Sequence, residues 1–106
     1  MAKQSAQLDK VFHALADPTR RAVLRKLGSG PFAVSDLAEP FDMSLPSFVQ
    51  HLGVLEDCGL VSSKKTGRVR TFTIVPKQLS LAEKWMSDQR LDQLDGFLNT
   101  LKEKDS

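Results

Sequence analysis

A chain of 106 residues with 41% hydrophobic and 26% charged residues fits one globular domain over residues 1–106, and excludes a fibrous, low-complexity or multi-domain architecture. No window approaches the roughly 18 continuous apolar residues of a membrane span, the first residues lack the apolar stretch of a secretory signal, and a single cysteine makes neither an internal disulfide nor a four-ligand zinc site, so a cytoplasmic protein with no membrane partner is expected. The net charge of +2 is modest but segregated: Leu60 to Lys77 holds five basic residues and no acid, whereas Leu81 to Ser106 holds four basic and six acidic, the footprint expected of a phosphate-binding face.

Leu8, Val11, Phe12 and Leu15 recur at the spacing of an amphipathic helix, placed at about Ser5 to Ala16. Asp17-Pro18 supplies an N-cap acceptor and a proline at the first helical position, so a second helix runs from Pro18 to Leu27. Arg25 and Lys26 suit its C-terminal dipole, and Gly28 is the expected left-handed stop. Arg20, Arg21 and Arg25 read first as a solvated face, with phosphate contact as the alternative.

Gly30-Pro31-Phe32-Ala33 reads as an extended connector, followed by a brief third helix capped by Ser35 and stopped at Pro40. Ser44 is the expected N-cap of a fourth helix, with Met43 and Phe48 at the spacing of a hydrophobic staple. Leu45, Phe48, Leu52 and Leu55 form its predicted inward face, and Gly59 follows as its stop. Leu60 to Lys65 and Arg68 to Val75, separated by Thr66-Gly67, predict a β-hairpin. After Pro76 a last helix is expected over about 79–101, with Leu91, Leu94, Leu98 and Leu101 at the 3-4-3 spacing of a coiled-coil seam, and Leu81 and Trp85 extending it.

Two helices joined by a tight turn, the second capped and stapled, then a basic hairpin, predict a mainly α winged helix-turn-helix of about five helices plus the wing. Such a helix fits the major groove of duplex DNA, and a flanking basic hairpin grips phosphates. With Phe48 and Leu52 turned inward, Ser47, Val49 and Gln50 point out, and Ser44 stands at the cap within reach of a phosphate. Gln50 suits bidentate pairing with adenine and Val49 a thymine methyl. Lys64, Lys65, Arg68 and Arg70 are the wing's candidate phosphate contacts.

The chain resembles the ArsR/SmtB-type bacterial repressors over nearly its whole length. The stretches that carry the resemblance are Ala14-Leu15-Ala16-Asp17-Pro18-Thr19-Arg20-Arg21, Val34-Ser35-Asp36-Leu37-Ala38-Glu39, Ser44-Leu45-Pro46-Ser47, His51-Leu52, Val54-Leu55-Glu56 and Gly59-Leu60-Val61. It implies a homodimeric repressor, with the fourth helix reading an inverted-repeat operator and the first and last helices forming the dimer interface. Leu8, Phe12, Trp85, Leu91, Leu94, Leu98 and Leu101 are the interface candidates. The metal-sensing branch carries a cysteine pair where this chain has Ala33-Val34-Ser35-Asp36-Leu37, and its other common site uses histidines on the last helix, which has none here. Asp88, Asp92 and Asp95 alone make a poor zinc site. No metal and no cofactor are therefore expected, and the effector is left open.

Three other readings compete. A nucleophilic set of Cys58, His51 and Asp57 is weak, because seven helical residues place Cys58 and His51 roughly 10 Å apart. A winged module that binds protein without DNA would suit an acidic wing, and this wing is basic. A metal-responsive repressor would need a site of unfamiliar pattern. His51 and His13 read as structural histidines, and Cys58 as inert beside Glu56 and Asp57.

Overall fold

The computed structural model describes residues 2–89. Helix α1, Ala2–Leu15, buries Val11 and Ala14 completely, with Leu8, Phe12 and Leu15 packed at the margin of the core. Helix α2, Pro18–Leu27, starts as the sequence predicts: the Asp17 carboxylate accepts the Arg20 amide at 2.9 Å, and Pro18 occupies the first turn. Val23, Leu24 and Leu27 turn inward.

The end of α2 differs from expectation. Gly28 stays right-handed (φ −61°), and the positive φ falls on Gly30, at 143°. The amides of Gly28, Ser29 and Gly30 bond successively to the carbonyls of Leu24, Lys26 and Leu27, so the helix unwinds over three residues instead of stopping at one. The connector beyond is not a loop. Strand β1, Phe32–Ala33, pairs antiparallel with a later strand, Phe32 opposite Phe72 and Ala33 opposite Thr71. Helix α3, Val34–Ala38, leaves that strand directly, so its cap is Ala33 with no side-chain bond; Ser35 lies inside the helix and caps nothing.

Helix α4, Leu45–Asp57, is capped by Ser44, whose Oγ accepts the Ser47 amide at 3.3 Å. At its other end Leu60 N–H bonds Leu55 O and Gly59 N–H bonds Glu56 O, the two bonds of a Schellman motif. That motif requires a left-handed residue, and Gly59 supplies it at φ 79°. Strands β2, Val61–Thr66, and β3, Val69–Ile74, form the hairpin, and the sheet order is β1-β3-β2. Thr66 pairs with Val69, so the turn is Gly67-Arg68 rather than Thr66-Gly67. Gly67 takes φ 62° at the first turn position, which suits a hairpin loop with glycine there.

Helix α5, Pro76–Gln89, begins three residues before the expected Leu79, with proline in its first turn. Ala82 is fully buried, and Trp85 meets Phe12 of α1 edge-on, centroids 5.6 Å apart. Leu91, Leu94, Leu98 and Leu101 lie outside the described residues. Among the described residues, five helices and a small three-stranded antiparallel sheet close over one core centred on Val23, Leu27, Leu37, Phe48, Leu52, Leu55, Leu60 and Phe72.

Candidate nucleic-acid interface

Helix α4 is anchored along one side and open along the other. Phe48, Leu52 and Leu55 are essentially inaccessible, and Phe48 stacks obliquely on Phe41 with centroids 5.2 Å apart. The sequence gives no sign of Phe41 as the ring partner of Phe48; Met43 packs at the core margin as a staple residue should. Ser44, Ser47, Val49 and Gln50 are all exposed, as predicted. The Ser44 hydroxyl donates to Ser47 Oγ at 2.9 Å, so the two form a polar pair at the N-terminal end of the helix. Leu45 departs from expectation. It is 55% exposed, one turn before Val49 at 48%, because the first turn of α4 projects past the core that holds Phe48. An apolar pair on the open face beside Gln50 is a surface suited to thymine methyls, and Leu45 joins the candidate readers.

The wing's basic residues do not share one face. Strand alternation and the pairing register put Lys65 and Arg70 directly opposite each other, on the face that carries buried Val61 and Phe72. Lys64 stands on the other face, opposite Thr71, and Arg68 occupies the turn. Like charges facing across a strand pair are destabilising by themselves, so the Lys65–Arg70 pairing favours an anionic third party. Arg70 Nη1 donates to Ser63 Oγ at 2.8 Å, and Ser63 Oγ donates to Glu56 Oε2 at 2.6 Å, which braces the wing against the end of α4. A groove of about 280 Å³ between α3, the start of α4 and the wing is lined by Ser35, Leu45, Arg68, Val69 and Arg70 among others. It joins the exposed side of α4 to the wing.

Two of the α2 arginines, Arg21 and Arg25, are exposed as a solvated face requires, and Arg20 is the exception. Arg20 is 9% exposed, and its guanidinium donates to Ala14 O at 2.8 Å, His13 O at 3.1 Å and His51 Nδ1 at 3.0 Å. Arg21 donates to Leu15 O at 2.7 Å. Together they satisfy the last carbonyls of α1, where cations are favoured. The sequence offered no sign of this, because the acceptors are set by how α1 and α2 turn at Ala16-Asp17. Arg25 is exposed on the remaining side. His51 is the hydrogen-bonded histidine expected; His13 is exposed, and only its backbone carbonyl is engaged.

The Asp17 carboxyl is held below the usual carboxylate range, chiefly by the bond it accepts from the Arg20 amide, against an opposing effect of burial. A depressed folded value means that its stabilisation is present above the unfolded value, about 3.9, and is lost as pH falls through the folded one. Asp17→Ala is expected to cost about 0.5–2 kcal/mol at neutral pH. The difference from wild type should shrink in urea titrations below pH ~4; a difference unchanged by acid would contradict the cap.

Among the described residues no activated nucleophile is assembled beside this interface. The Cys58 thiol is buried and donates to Leu55 O at 3.3 Å, and burial pushes its pKa up. A cavity of about 610 Å³ between α1 and the end of α4 is lined by Asp9, Lys10, His13, Val54, Asp57 and Cys58. Among the described residues no three His, Cys, Asp or Glu side chains come together as a metal site, and no helix is long and apolar enough to cross a membrane.

A capped helix with an open polar and apolar face, preceded by the short α3 and followed by a basic hairpin, defines a winged helix-turn-helix DNA-binding protein. A helix-turn-helix domain family matches residues 15–63. The chain is 40% identical over 72 residues to the transcriptional regulator Rv2034 of Mycobacterium tuberculosis, covering 68% of this chain and 67% of that one. It is 33% identical to the transcriptional repressor SdpR of Bacillus subtilis, over 74% of this chain and 88% of that one. Among solved structures, an ArsR family transcriptional regulator superimposes with a TM-score of 0.78 at 51% identity, over 81% of this chain and 89% of that one. A homodimeric winged helix-turn-helix DNA-binding domain from Mycobacterium bovis does so with a TM-score of 0.68 at 26% identity, over 86% and 87%.

The chain belongs to the ArsR family of bacterial helix-turn-helix transcriptional repressors. It is a regulator and not an enzyme.

Proposed function

We infer that the chain acts as a homodimer on an inverted-repeat operator, reading base edges in the major groove with α4 and holding phosphates with the wing. The observation that carries this reading is the open face of α4: Leu45, Ser47, Val49 and Gln50 stand exposed on a helix whose opposite side is locked into the core. Gln50 offers an amide donor and acceptor for adenine, with Val49 and Leu45 beside it for a thymine methyl, so each half-site contains A·T pairs. Ser44 and Ser47 at the N-terminal end of α4 suit a phosphate. Lys64, Lys65, Arg68 and Arg70 supply charge without sequence information.

The dimer joins α1 to the last helix. Trp85 and Met86 are 46% and 49% exposed on α5 next to Phe12, an apolar surface with reason to be covered. Leu91, Leu94, Leu98 and Leu101, at the spacing of a coiled-coil seam, follow α5 in the sequence, and the Mycobacterium bovis neighbour is a homodimer. Two copies related by a two-fold axis present two α4 helices to the DNA, with half-sites centred about 10 base pairs apart or a multiple of that. Regulation does not run through a metal: the stretch from Ala33 to Leu37 has no sulfur, and no histidine follows His51.

Selection from a random duplex library tests the operator. An enriched inverted repeat with A·T-containing half-sites is expected; an asymmetric motif, or no enrichment, would contradict the reading. Light scattering on the same protein should report twice the chain's mass, and Leu94→Glu with Leu98→Glu should halve it. A wild-type monomer at tens of micromolar would end the dimer proposal.

A further inference from the structure

Among the described residues Arg20 is the only charged side chain counted in the core. A buried guanidinium is costly unless its N–H groups find acceptors. Two of its bonds, to Ala14 O and His13 O, close the end of α1 and would do so whatever α4 did. The third reaches 31 positions along the chain to His51 Nδ1 on α4, at 3.0 Å. Arginine only donates, so Nδ1 must be the acceptor and the neutral ring carries its proton on Nε2. Asp17 Oδ2 stands 3.7 Å from the same Nδ1.

Apart from the bond from Ser63 to Glu56 at its C-terminal end, the other attachments of α4 are apolar. Phe48, Leu52 and Leu55 hold the helix down by burial, which is non-directional and tolerates a small rotation about the helix axis. A bond from a fixed guanidinium to a ring nitrogen is directional and does not. A side-chain tip lies about 5–6 Å from the axis, so a rotation of about 10° carries it roughly 1 Å, enough to spoil a bidentate contact with a base. His51 adjoins Gln50 in sequence, and the two turn together.

We propose that Arg20 and His51 are positioning residues for operator recognition: their bond fixes the rotation of α4 about its axis, and thereby where Gln50 and Val49 meet the bases. The inference rests on the reading that α4 contacts DNA. Neither residue touches the duplex in this account. Asparagine places Oδ1 near the position of Nδ1, so His51→Asn keeps the acceptor and His51→Ala removes it.

The test compares wild type, His51→Ala, His51→Asn and Gln50→Ala on the duplex that wild type enriches and on a scrambled duplex of the same length. His51→Ala is expected to lower the preference for the enriched duplex about tenfold, the size of one hydrogen bond to a charged group, with scrambled-duplex affinity unchanged. His51→Asn should recover most of that preference. Imidazole nitrogen spectra of the free wild-type protein in alkaline buffer should place the proton on Nε2. A retained preference in His51→Ala, equal weakening on both duplexes, or no recovery in His51→Asn would overturn the proposal. If His51→Ala does not fold, the asparagine variant and the spectra still decide it. A proton on Nδ1 would overturn the positioning bond alone, whereas a wild-type protein that prefers no duplex would overturn the α4 reading and this proposal with it.

Discussion

Replacing Lys64, Lys65, Arg68 and Arg70 together with alanine is expected to weaken duplex binding by up to about a thousandfold for each wing on the DNA at 0.15 M salt, while leaving the preferred sequence unchanged. The size follows from counterion release. Each phosphate neutralised by a wing contributes about 0.9 to the slope of log K against log salt, so four contacts contribute about 3.6 per wing and about 7.2 for the dimer. The invariance of sequence follows from what phosphates are: they carry the same charge beside every base pair. All four side chains are exposed, so the loss should not come from unfolding, and the thermal midpoint should move little. A slope unchanged in the variant would take the wing off the DNA. Arg70 deserves separate measurement, since its bond to Ser63, and through it to Glu56, also braces the hairpin. Arg70→Ala alone should therefore affect binding more than the single removal of Lys64, which the structure places on the opposite face.

Phe48→Ala is expected to cost about 3–5 kcal/mol of stability, the range for emptying a buried aromatic site. Phe48 has no accessible surface and stacks on Phe41, so the substitution leaves a cavity under the first turn of α4. Against a total of about 5–15 kcal/mol for an ordinary domain, that is a large share, and the midpoint should fall by more than about 10 °C. Binding should fall with it, because α4 then lacks its anchor. Wild type and variant must be compared at equal protomer concentration, since dimerisation adds stability by mass action. A loss below about 1 kcal/mol would mean that the site collapses onto Phe41 and that α4 is held elsewhere.

The local signals in the sequence carried most of the framework. Asp17-Pro18 and Ser44 mark helix starts through bonds to residues three positions on, and a bond that local is visible in sequence. Gly59 marks the end of α4 for the same reason. The two-strand hairpin shows through its β-branched residues. What escaped was decided at a distance. Phe32-Ala33 is too short to show a period, and becomes a strand only because β3 leaves an edge free. That strand in turn moves the start of α3 to Val34 and leaves Ser35 uncapping. Leu45 fits the 3-4-3 stripe of Phe48, Leu52 and Leu55, yet the stripe continues past the point where there is core to receive it. Arg20 looked like surface charge because its three acceptors, two on α1 and one on α4, come together only when three helices pack. The wing residues were found by composition, but only the register Lys65 to Arg70 divides them between two faces.

The central claim is that α4 reads bases through Gln50, and the direct measurement is the affinity of wild type and Gln50→Ala for the enriched duplex, for each of its single-base variants, and for a scrambled duplex. The account predicts that Gln50→Ala loses about 1–3 kcal/mol at one A·T pair of each half-site, no longer discriminates there, and binds the scrambled duplex as wild type does. Equal weakening on every duplex, or an unaltered preference at every position, would contradict it.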